Sequence, residues 1–288
     1  PLAVVVFAEE EGGRFGVACL GSRLLTGAIA PERALTLTDA DGVTFAEAAR
    51  RAGIDPARVG PDPDRLGMIG AFVELHVEQG RALEPLGQPV AIGSTIDPHG
   101  RWRLSFVGRG DHAGTALMGD RRDPMVPAAR TVLAARSAAR AGTRATVGRL
   151  VPVPGGTNVI ARRVDLWLDT RSASEPSTRE AVDEVISAAR LAAAEEGCEV
   201  EVREESFSGE VTFDAELRER IQRVLGEVPV LPTGAGHDAG VLAAHVPAGM
   251  LYVRNPTGVS HAPEEFATDE DCAAGVESLA AVLEELAG

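Results

Sequence analysis

The sequence predicts an α/β protein interrupted by an inserted α+β domain. Three observations carry that reading. The chain opens on the apolar, β-branched run Leu2-Ala3-Val4-Val5-Val6-Phe7, the pattern of a parallel strand buried on both faces. Between residues 97 and 209 the patterns follow the order β-α-β-β-α-β, that of a ferredoxin-like unit. After residue 209 helices again surround short apolar strands. The expected division is residues 1–96 and 210–288 for the α/β domain and 97–209 for the insertion. A chain of 288 residues, 44% hydrophobic, is long enough to build both cores.

Each element has a local reason. Helices and loops follow the first strand to about residue 65, including Phe45 to Ala52 with Gly53 as stop signal. Met68 to Val77 and Val90 to Ile96 are apolar strand candidates. Trp102, Leu104 and Phe106 alternate with Arg103 and Ser105, which predicts a half-buried strand. Pro127 to Ala141 forms an Ala/Arg-rich amphipathic helix, and Ala145 to Val153 and Val164 to Leu168 are strands. Ser177-Thr178-Arg179-Glu180 is a capping box opening a helix to about Glu196, and Glu199 to Val202 is a strand. Phe213 to Leu225, Gly236 to His245 and Ala267 to Leu286 predict helices, with a strand over Met250 to Val253.

Composition narrows the function. A net charge of −15 and a pI near 4.9 leave no basic footprint, so nucleic acid and anionic membrane are excluded as expected partners. No apolar run approaches a membrane span, and no basic leader precedes the apolar start. Cys19, Cys198 and Cys272 are odd in number and widely spaced, which predicts reduced, buried thiols in a cytoplasmic protein. All 28 basic residues are Arg, a trace of genome composition rather than of function.

The polar loops carry the chemistry. Of six histidines, four stand among acids and glycines: Glu74-Leu75-His76-Val77-Glu78-Gln79-Gly80, Gly110-Asp111-His112-Ala113-Gly114-Thr115, Gly234-Ala235-Gly236-His237-Asp238 and Gly258-Val259-Ser260-His261. Glu9-Glu10-Glu11 closes the first strand, where loops of a parallel sheet converge. Imidazole and carboxylate are the donors that zinc and manganese take, so the pattern predicts a metal hydrolase. His99 and His245 fit no such cluster, and Trp102 and Trp167 read as core or interface aromatics.

Taken in order, Phe7-x-x-Glu10-Glu11-Gly12-x-Arg14-Phe15, His76-Val77-Glu78-Gln79-Gly80, His112-Ala113-Gly114-Thr115 with Arg121 and Asp123, Thr157-Asn158-Val159-Ile160, Asp169-Thr170-Arg171, Gly234-Ala235-Gly236-His237-Asp238-Ala239 and Ser260-His261-x-Pro263-x-Glu265 form a specific set. The chain resembles, over its whole length, the allantoate amidohydrolase and N-carbamoyl-L-amino acid hydrolase family of dinuclear metallopeptidases and aminoacylases. The resemblance implies a metal-binding α/β domain with an inserted ferredoxin-like lid that dimerises, two divalent ions (Zn or Mn), and a small ureido-carboxylate substrate. It implies Glu10 as general base and His112 as transition-state stabiliser reaching the partner subunit. Glu11 and His261 would hold one metal and His76 the other. Gln79, Asn158, Arg171, Gly236 and His237 would contact substrate, with Arg101 a further carboxylate contact.

Each residue also has a plainer reading. Glu10 fits a surface acid, Glu9 and Glu78 solvated acids, and His112 a turn histidine. Arg171 fits an ion pair with Asp169, Arg101 a solvated strand position, and Gly236 a tight turn. The family carries two further ligand motifs, a His-x-Asp and a Gly-rich loop with a bridging Asp, upstream of the Glu pair. This sequence starts after them, so the resemblance predicts an N-terminally truncated chain with impaired activity. Arg254-Asn255-Pro256-Thr257-Gly258 points to the allantoate branch, with purine catabolism as its setting. N-carbamoyl-L-amino acid and N-carbamoyl-β-alanine hydrolysis are the alternatives, and a non-catalytic, dimeric carboxylate-binding protein is the alternative of another class.

Overall fold

The computed structural model describes residues 1–140 and 142–288. The chain divides into two compact units, Pro1–Ile96 with Val211–Gly288, and Asp97–Glu210. The first unit begins with α1 (Leu20–Thr26), α2 (Pro31–Leu35), α3 (Phe45–Arg51) and α4 (Pro63–Leu66), then β1 (Phe72–Val77), α5 (Leu83–Leu86) and β2 (Val90–Ile96). The second holds β3 (His99–Val107), β4 (Asp111–His112), α6 (Met125–Ala138), β5 (Thr143–Val153), β6 (Val159–Ile160), β7 (Arg163–Ser172), α7 (Glu175–Glu195) and β8 (Glu199–Ser208). The first unit then resumes with β9 (Val211–Thr212), α8 (Ala215–Leu225), β10 (Val230–Thr233), α9 (Asp238–Leu242), β11 (Ala248–Val253) and α10 (Asp269–Ala287).

The sheet of the first unit runs β1-β11-β2-β10, with β9 paired to β2. β1 is parallel to β11, and β2 is parallel to β10 but antiparallel to β11 and β9, so the sheet is mixed. Both faces are covered. Ile92, Leu251, Val73 and Leu75 pack with Leu217 and Ile221 of α8 and Val282 of α10. Ala91, Ile96, Met250 and Tyr252 pack with Phe213, Leu83 of α5 and Ala239 of α9. Gly275 lets α10 close on the sheet, since a Cβ there would stand 2.4 Å from Val253 Cγ2. A third apolar cluster, built on Phe15, Leu20, Leu24, Ile29 and Ala34, ties α1 to α2 and the segment around them.

The second unit is an antiparallel sheet in the order β5-β7-β3-β8 with α6 and α7 on one face. That strand order and its β-α-β-β-α-β succession are ferredoxin-like. Trp102, Leu104 and Phe106 of β3 and Val164, Leu166 and Leu168 of β7 point into the helix layer. Their neighbours Arg103, Ser105, Asp165 and Trp167 lie on the opposite face, as strand alternation requires. There Arg149 and Arg103 lie against the Trp167 ring, at 4.4 and 5.4 Å from its centroid.

Several local expectations need correction. Residues 1–7 form no strand: Val4 and Val6 are 87% and 92% exposed. Among the described residues nothing forms a ladder with this run, and an apolar strand without ladder partners or covering layers has nothing to hold it. Only Phe7 finds a neighbour, an edge-on contact with Phe72 at 6.1 Å. Helix α7 starts at Glu175 because Ser174, not Ser177, caps it: the Ser174 hydroxyl accepts the Ser177 N–H, and Pro176 fits the first turn. The helix expected over 236–245 shortens to Asp238–Leu242, and β10 was not foreseen. The helix expected over 127–141 is Met125–Ala138, and Ala141 lies outside the described residues. Cys19 and Cys198 are buried free thiols as expected, but Cys272 is exposed on the first turns of α10.

Asp165 supplies a pH test of the second unit. It is 3% exposed and is met by Ser105 Oγ at 2.6 Å, Arg163 Nη2 at 2.6 Å and Arg103 Nη2 at 3.1 Å. Burial works to raise its carboxyl, but the Ser105, Arg163 and Arg103 contacts outweigh that and hold it below the usual carboxylate range. Stability from this ionised group is present above the unfolded pKa of about 4 and is lost as pH falls through the lower folded value. The stability difference between the wild type and Asp165→Asn in urea unfolding is therefore expected to be full at pH 6 and to shrink below about pH 4. A difference that stays constant across that range contradicts the assignment.

Candidate metal centre

Strand β1 sorts its side chains by alternation. Val73 and Leu75 enter the layer under α8 and α10, whereas Phe72 packs on the α9 side. Glu74 and His76 share the Phe72 face, two residues apart. The segment before α1 brings the third group. Ala8 to Glu10 lies along the start of α1, with Cys19 N–H donating to Glu10 O at 2.8 Å and Gly21 N–H to Ala8 O at 3.0 Å. Gly21 permits that approach, because a Cβ there would stand 2.8 Å from Ala8 N. Glu9 is not solvated: it adopts a left-handed backbone (φ 60°), and its carboxylate accepts the Arg14 and Phe15 N–H groups at 3.1 and 2.9 Å. The turn it holds sends Glu10 and Glu11 to different neighbours.

Glu10 meets two imidazoles. Its Oε2 is 3.6 Å from His76 Nε2, and its Oε1 is 3.4 Å from His237 Nδ1. The rings of His76 and His237 lie edge-to-face at 4.6 Å. His76 Nδ1 stands 2.8 Å from Val77 O, and a carbonyl only accepts, so Nδ1 carries the proton and Nε2 is left to face Glu10. The His237 side chain is 1% exposed, and its Nδ1 has no hydrogen-bond partner. His237 sits just before α9, whose Ala239 N–H donates to Glu74 Oε2 at 2.6 Å. Asp238 accepts from Ser22 Oγ of α1 at 2.5 Å.

The electrostatics follow from packing acids and imidazoles into a half-buried space. Burial opposes the Glu10 charge, yet contacts with His237 and His76 bring its pKa down to about 2. Burial likewise opposes the His76 charge, but the Glu10 contact and the Val77 carbonyl raise it to about 9. Burial dominates elsewhere: it pushes Glu74 up to about 7 and Asp238 to about 6, and it lowers His237. The surroundings of Glu10 are thus rich in carboxylates whose ionisation a cation would favour.

A second group forms beside the first unit's loops. Glu11 Oε2 lies 2.7 Å from His261 Nε2, and Gln79 Nε2 donates to Glu11 Oε1 at 2.9 Å. His261 takes a left-handed backbone (φ 58°), with its N–H donating to Glu265 at 3.1 Å. This pair is open to solvent, His261 being 69% exposed. Glu78, read from sequence as a solvated acid, is buried, and its two oxygens accept the Ala82 and Leu83 N–H groups at 2.5 and 3.1 Å. Gly236 is exposed, with open space where a Cβ would be.

The remaining expected residues belong to the second unit. His112 lies on the β4–β6 ladder and Asn158 just before β6, where Ala113 N–H donates to Asn158 O at 2.9 Å. Both are exposed, and His112 Nδ1 accepts the Gly114 N–H at 3.0 Å. Arg171 makes the Asp169 ion pair, with Nε to Oδ1 at 2.8 Å. Arg101 is exposed on β3, in register with the same Asp169 on β7.

The structure fits a divalent ion held by His76 and His237, with the Glu10 carboxylate beside it. One carboxylate oxygen and two imidazole nitrogens lie within 4.8 Å of one another, and the buried His237 Nδ1 is unpartnered. That donor set suits zinc or manganese. Sequence reading had assigned His237 to substrate and missed Glu74 and Asp238. The period-2 pairing of Glu74 with His76 was the available signal for Glu74.

Comparisons with known proteins agree with the motifs. The model of peptidase family M20/M25/M40 matches residues 1–285. The N-carbamoyl-L-amino acid amidohydrolase of Geobacillus stearothermophilus is 39% identical over 97% of this chain and 69% of its own length. The allantoate amidohydrolase of Escherichia coli is 32% identical over 99% of this chain and 70% of its own. A solved hydantoinase/carbamoylase-family amidase from Burkholderia vietnamiensis superposes with a TM-score of 0.85 at 27% identity, over 97% of this chain and 69% of that one.

The donor cluster makes a direct prediction. After zinc loading and dialysis, His237→Ala is expected to hold clearly less zinc per chain than the wild type, by elemental analysis. His245→Ala, an exposed histidine outside the cluster, is expected to hold the wild-type amount. Equal zinc in the wild type and His237→Ala removes His237 from the donor set.

Proposed function

Because this chain belongs to peptidase family M20/M25/M40, hydrolases that act on C–N bonds, we propose that it hydrolyses the ureido C–N bond of a small ureido-carboxylate, releasing ammonia and CO2. The observation that carries the proposal is the Glu10 carboxylate facing both His76 and His237. Family members generally work with two divalent ions. In this reading His76, with His237 beside it, holds one, and Glu11 with His261 holds the other. When bound, such ions polarise the scissile carbonyl and make water a stronger acid.

The chain's own groups do the rest. Glu10 is ionised at neutral pH, so its carboxylate is in the form that takes a proton from the attacking water and returns it to the leaving nitrogen. Gln79 donates to the ureido or carboxyl oxygen. Arg171 and Asn158 contact the substrate carboxylate, with Asp169 holding the guanidinium through Nε and Nη2. His112, reaching the partner subunit's centre, donates to the developing oxyanion there.

The substrate within this class is an N-carbamoyl-L-amino acid, with allantoate second. The segment that pointed to allantoate is occupied in building a turn. Arg254 pairs with Asp271 at 2.9 Å, and the buried Asn255 Oδ1 accepts from Thr257 N and Gly258 N at 3.1 and 3.0 Å. Those contacts shape the approach to His261. The greater identity is also to an N-carbamoyl-L-amino acid amidohydrolase. We further propose a homodimer through the second unit, whose sheet ends on β5 and β8 at its two edges. We also propose a cytoplasmic setting; no helix among the described residues is long and apolar enough to cross a membrane.

Two outcomes test this. With zinc or manganese supplied, ammonia release is expected from N-carbamoyl-L-amino acids at higher kcat/KM than from allantoate. Glu10→Gln is expected to lower kcat by about 10²–10⁴-fold at unchanged metal content. Metal lost together with activity would make Glu10 a ligand rather than a base. Metal and substrate binding without ammonia release in the wild type would leave a carboxylate-binding protein. In light scattering, the chain is expected at twice its 30.0 kDa mass. A monomer at micromolar concentration counts against the dimer.

A further inference from the structure

We propose that Glu74 is the positioning residue of this centre: its carboxylate ties the His237 turn to the strand that carries His76. The inference rests on the metal reading above, but its geometry is independent of any ion. Glu74 and His76 stand two residues apart on one face of β1. Glu74 Oε2 accepts the Ala239 N–H at 2.6 Å, and Oε1 lies 3.8 Å from His237 Nδ1. One carboxylate thus touches both residues that flank Asp238. Its side chain is 12% exposed, so little water competes for the contact.

The contact spans 165 residues of sequence and joins elements that no ladder connects. Asp238, the residue between, is tied in turn to Ser22 Oγ on α1. The His237 turn is therefore pinned from two sides, by β1 through Glu74 and by α1 through Asp238. Glu10, the third member of the cluster, is fixed to α1 by its own carbonyl, which accepts the Cys19 N–H at 2.8 Å. Glu74 is what couples the strand to this arrangement. Without it the Ala239 N–H loses its acceptor and His237 is free to drift from His76. Partners that orient a ligating histidine commonly affect metal affinity by about 10–100-fold.

The test uses the whole chain and zinc alone, with affinity read by competition against a chromophoric chelator. Glu74→Ala is expected to bind zinc about 10–100-fold more weakly than the wild type. Glu74→Gln, whose amide oxygen still accepts the Ala239 N–H, is expected to recover most of that loss. Glu74→Asp keeps the charge but shortens the reach, and is expected to behave like Glu74→Ala. Wild-type affinity in Glu74→Ala or Glu74→Asp overturns the proposal, as does a Glu74→Gln as weak as Glu74→Ala. A Glu74→Ala that does not fold leaves the decision to Glu74→Gln and Glu74→Asp.

A metal-free readout separates this proposal from the metal reading. Hydrogen exchange of the Ala239 amide is expected to quicken in Glu74→Asp relative to the wild type and Glu74→Gln. Unchanged protection overturns the tether whatever zinc does. A wild type that holds no zinc, with Ala239 still released in Glu74→Asp, sinks the metal reading and leaves the tether standing.

Discussion

Everything in the first unit's candidate centre depends on how β1 lies in its sheet. The ladder with β11 runs in parallel register from Phe72↔Ala248 to Val77↔Val253. That register sends Val73 and Leu75 into the layer under α8 and α10, and sends Glu74 and His76 the other way. A slip of one residue would exchange the two sets. The apolar layer would then receive a carboxylate and an imidazole, and Glu10 would lose its neighbour. Packing of Val73 and Leu75 against α8 and α10 thus places the polar groups on the opposite face.

The polar face carries the cost of that arrangement. Three carboxylates, Glu10, Glu74 and Asp238, and two imidazoles share a poorly hydrated space. Burial drives Glu74 and Asp238 upward and His237 downward, while Glu10 and His76 stabilise each other's charged forms. Backbone donors and a hydroxyl settle part of the remainder: Ala239 N–H for Glu74 and Ser22 for Asp238. His237 Nδ1 is buried and makes no close hydrogen bond, though Glu10 Oε1 stands 3.4 Å away. Such a donor atom beside carboxylates is what a cation site looks like from the side of the protein.

The second unit solves a different problem with the same residue types. Its acids are committed to arginines, Asp165 to Arg103 and Arg163, and Asp169 to Arg171. The plain ion-pair reading of Arg171 is what the structure holds, with Asp169 taking Nε and Nη2. By contrast, His112 on β4 and Asn158 just before β6 are exposed, and Ala113 N–H donates to Asn158 O while Gly114 N–H donates to His112 Nδ1. Rigid sheet positions carry the arginine, and a short ladder carries the histidine.

The sequence by itself determined much of this protein. Periodicity located β3, β5, β7, α6 and α7 and the ferredoxin-like order, because strand and helix periods are local properties. The motifs singled out Glu10, Glu11, His76 and His261, because chemistry at a loop requires particular side chains. It could not determine partners. Leu2 to Val6 has the composition of a buried strand, but a strand needs a ladder neighbour, and composition does not supply one. Glu9, Glu10 and Glu11 are alike in sequence, yet one holds a turn, one meets His76 and His237, and one meets Gln79 and His261. Glu78 and Glu74 stand on either side of His76, and only folding gives one to the backbone of α5 and the other to the His237 turn. Residue type sets what a side chain is able to do. Contacts between residues distant in sequence decide which of those things it does, and those contacts are made by the sheet register and the packing of α1 and α9 against it.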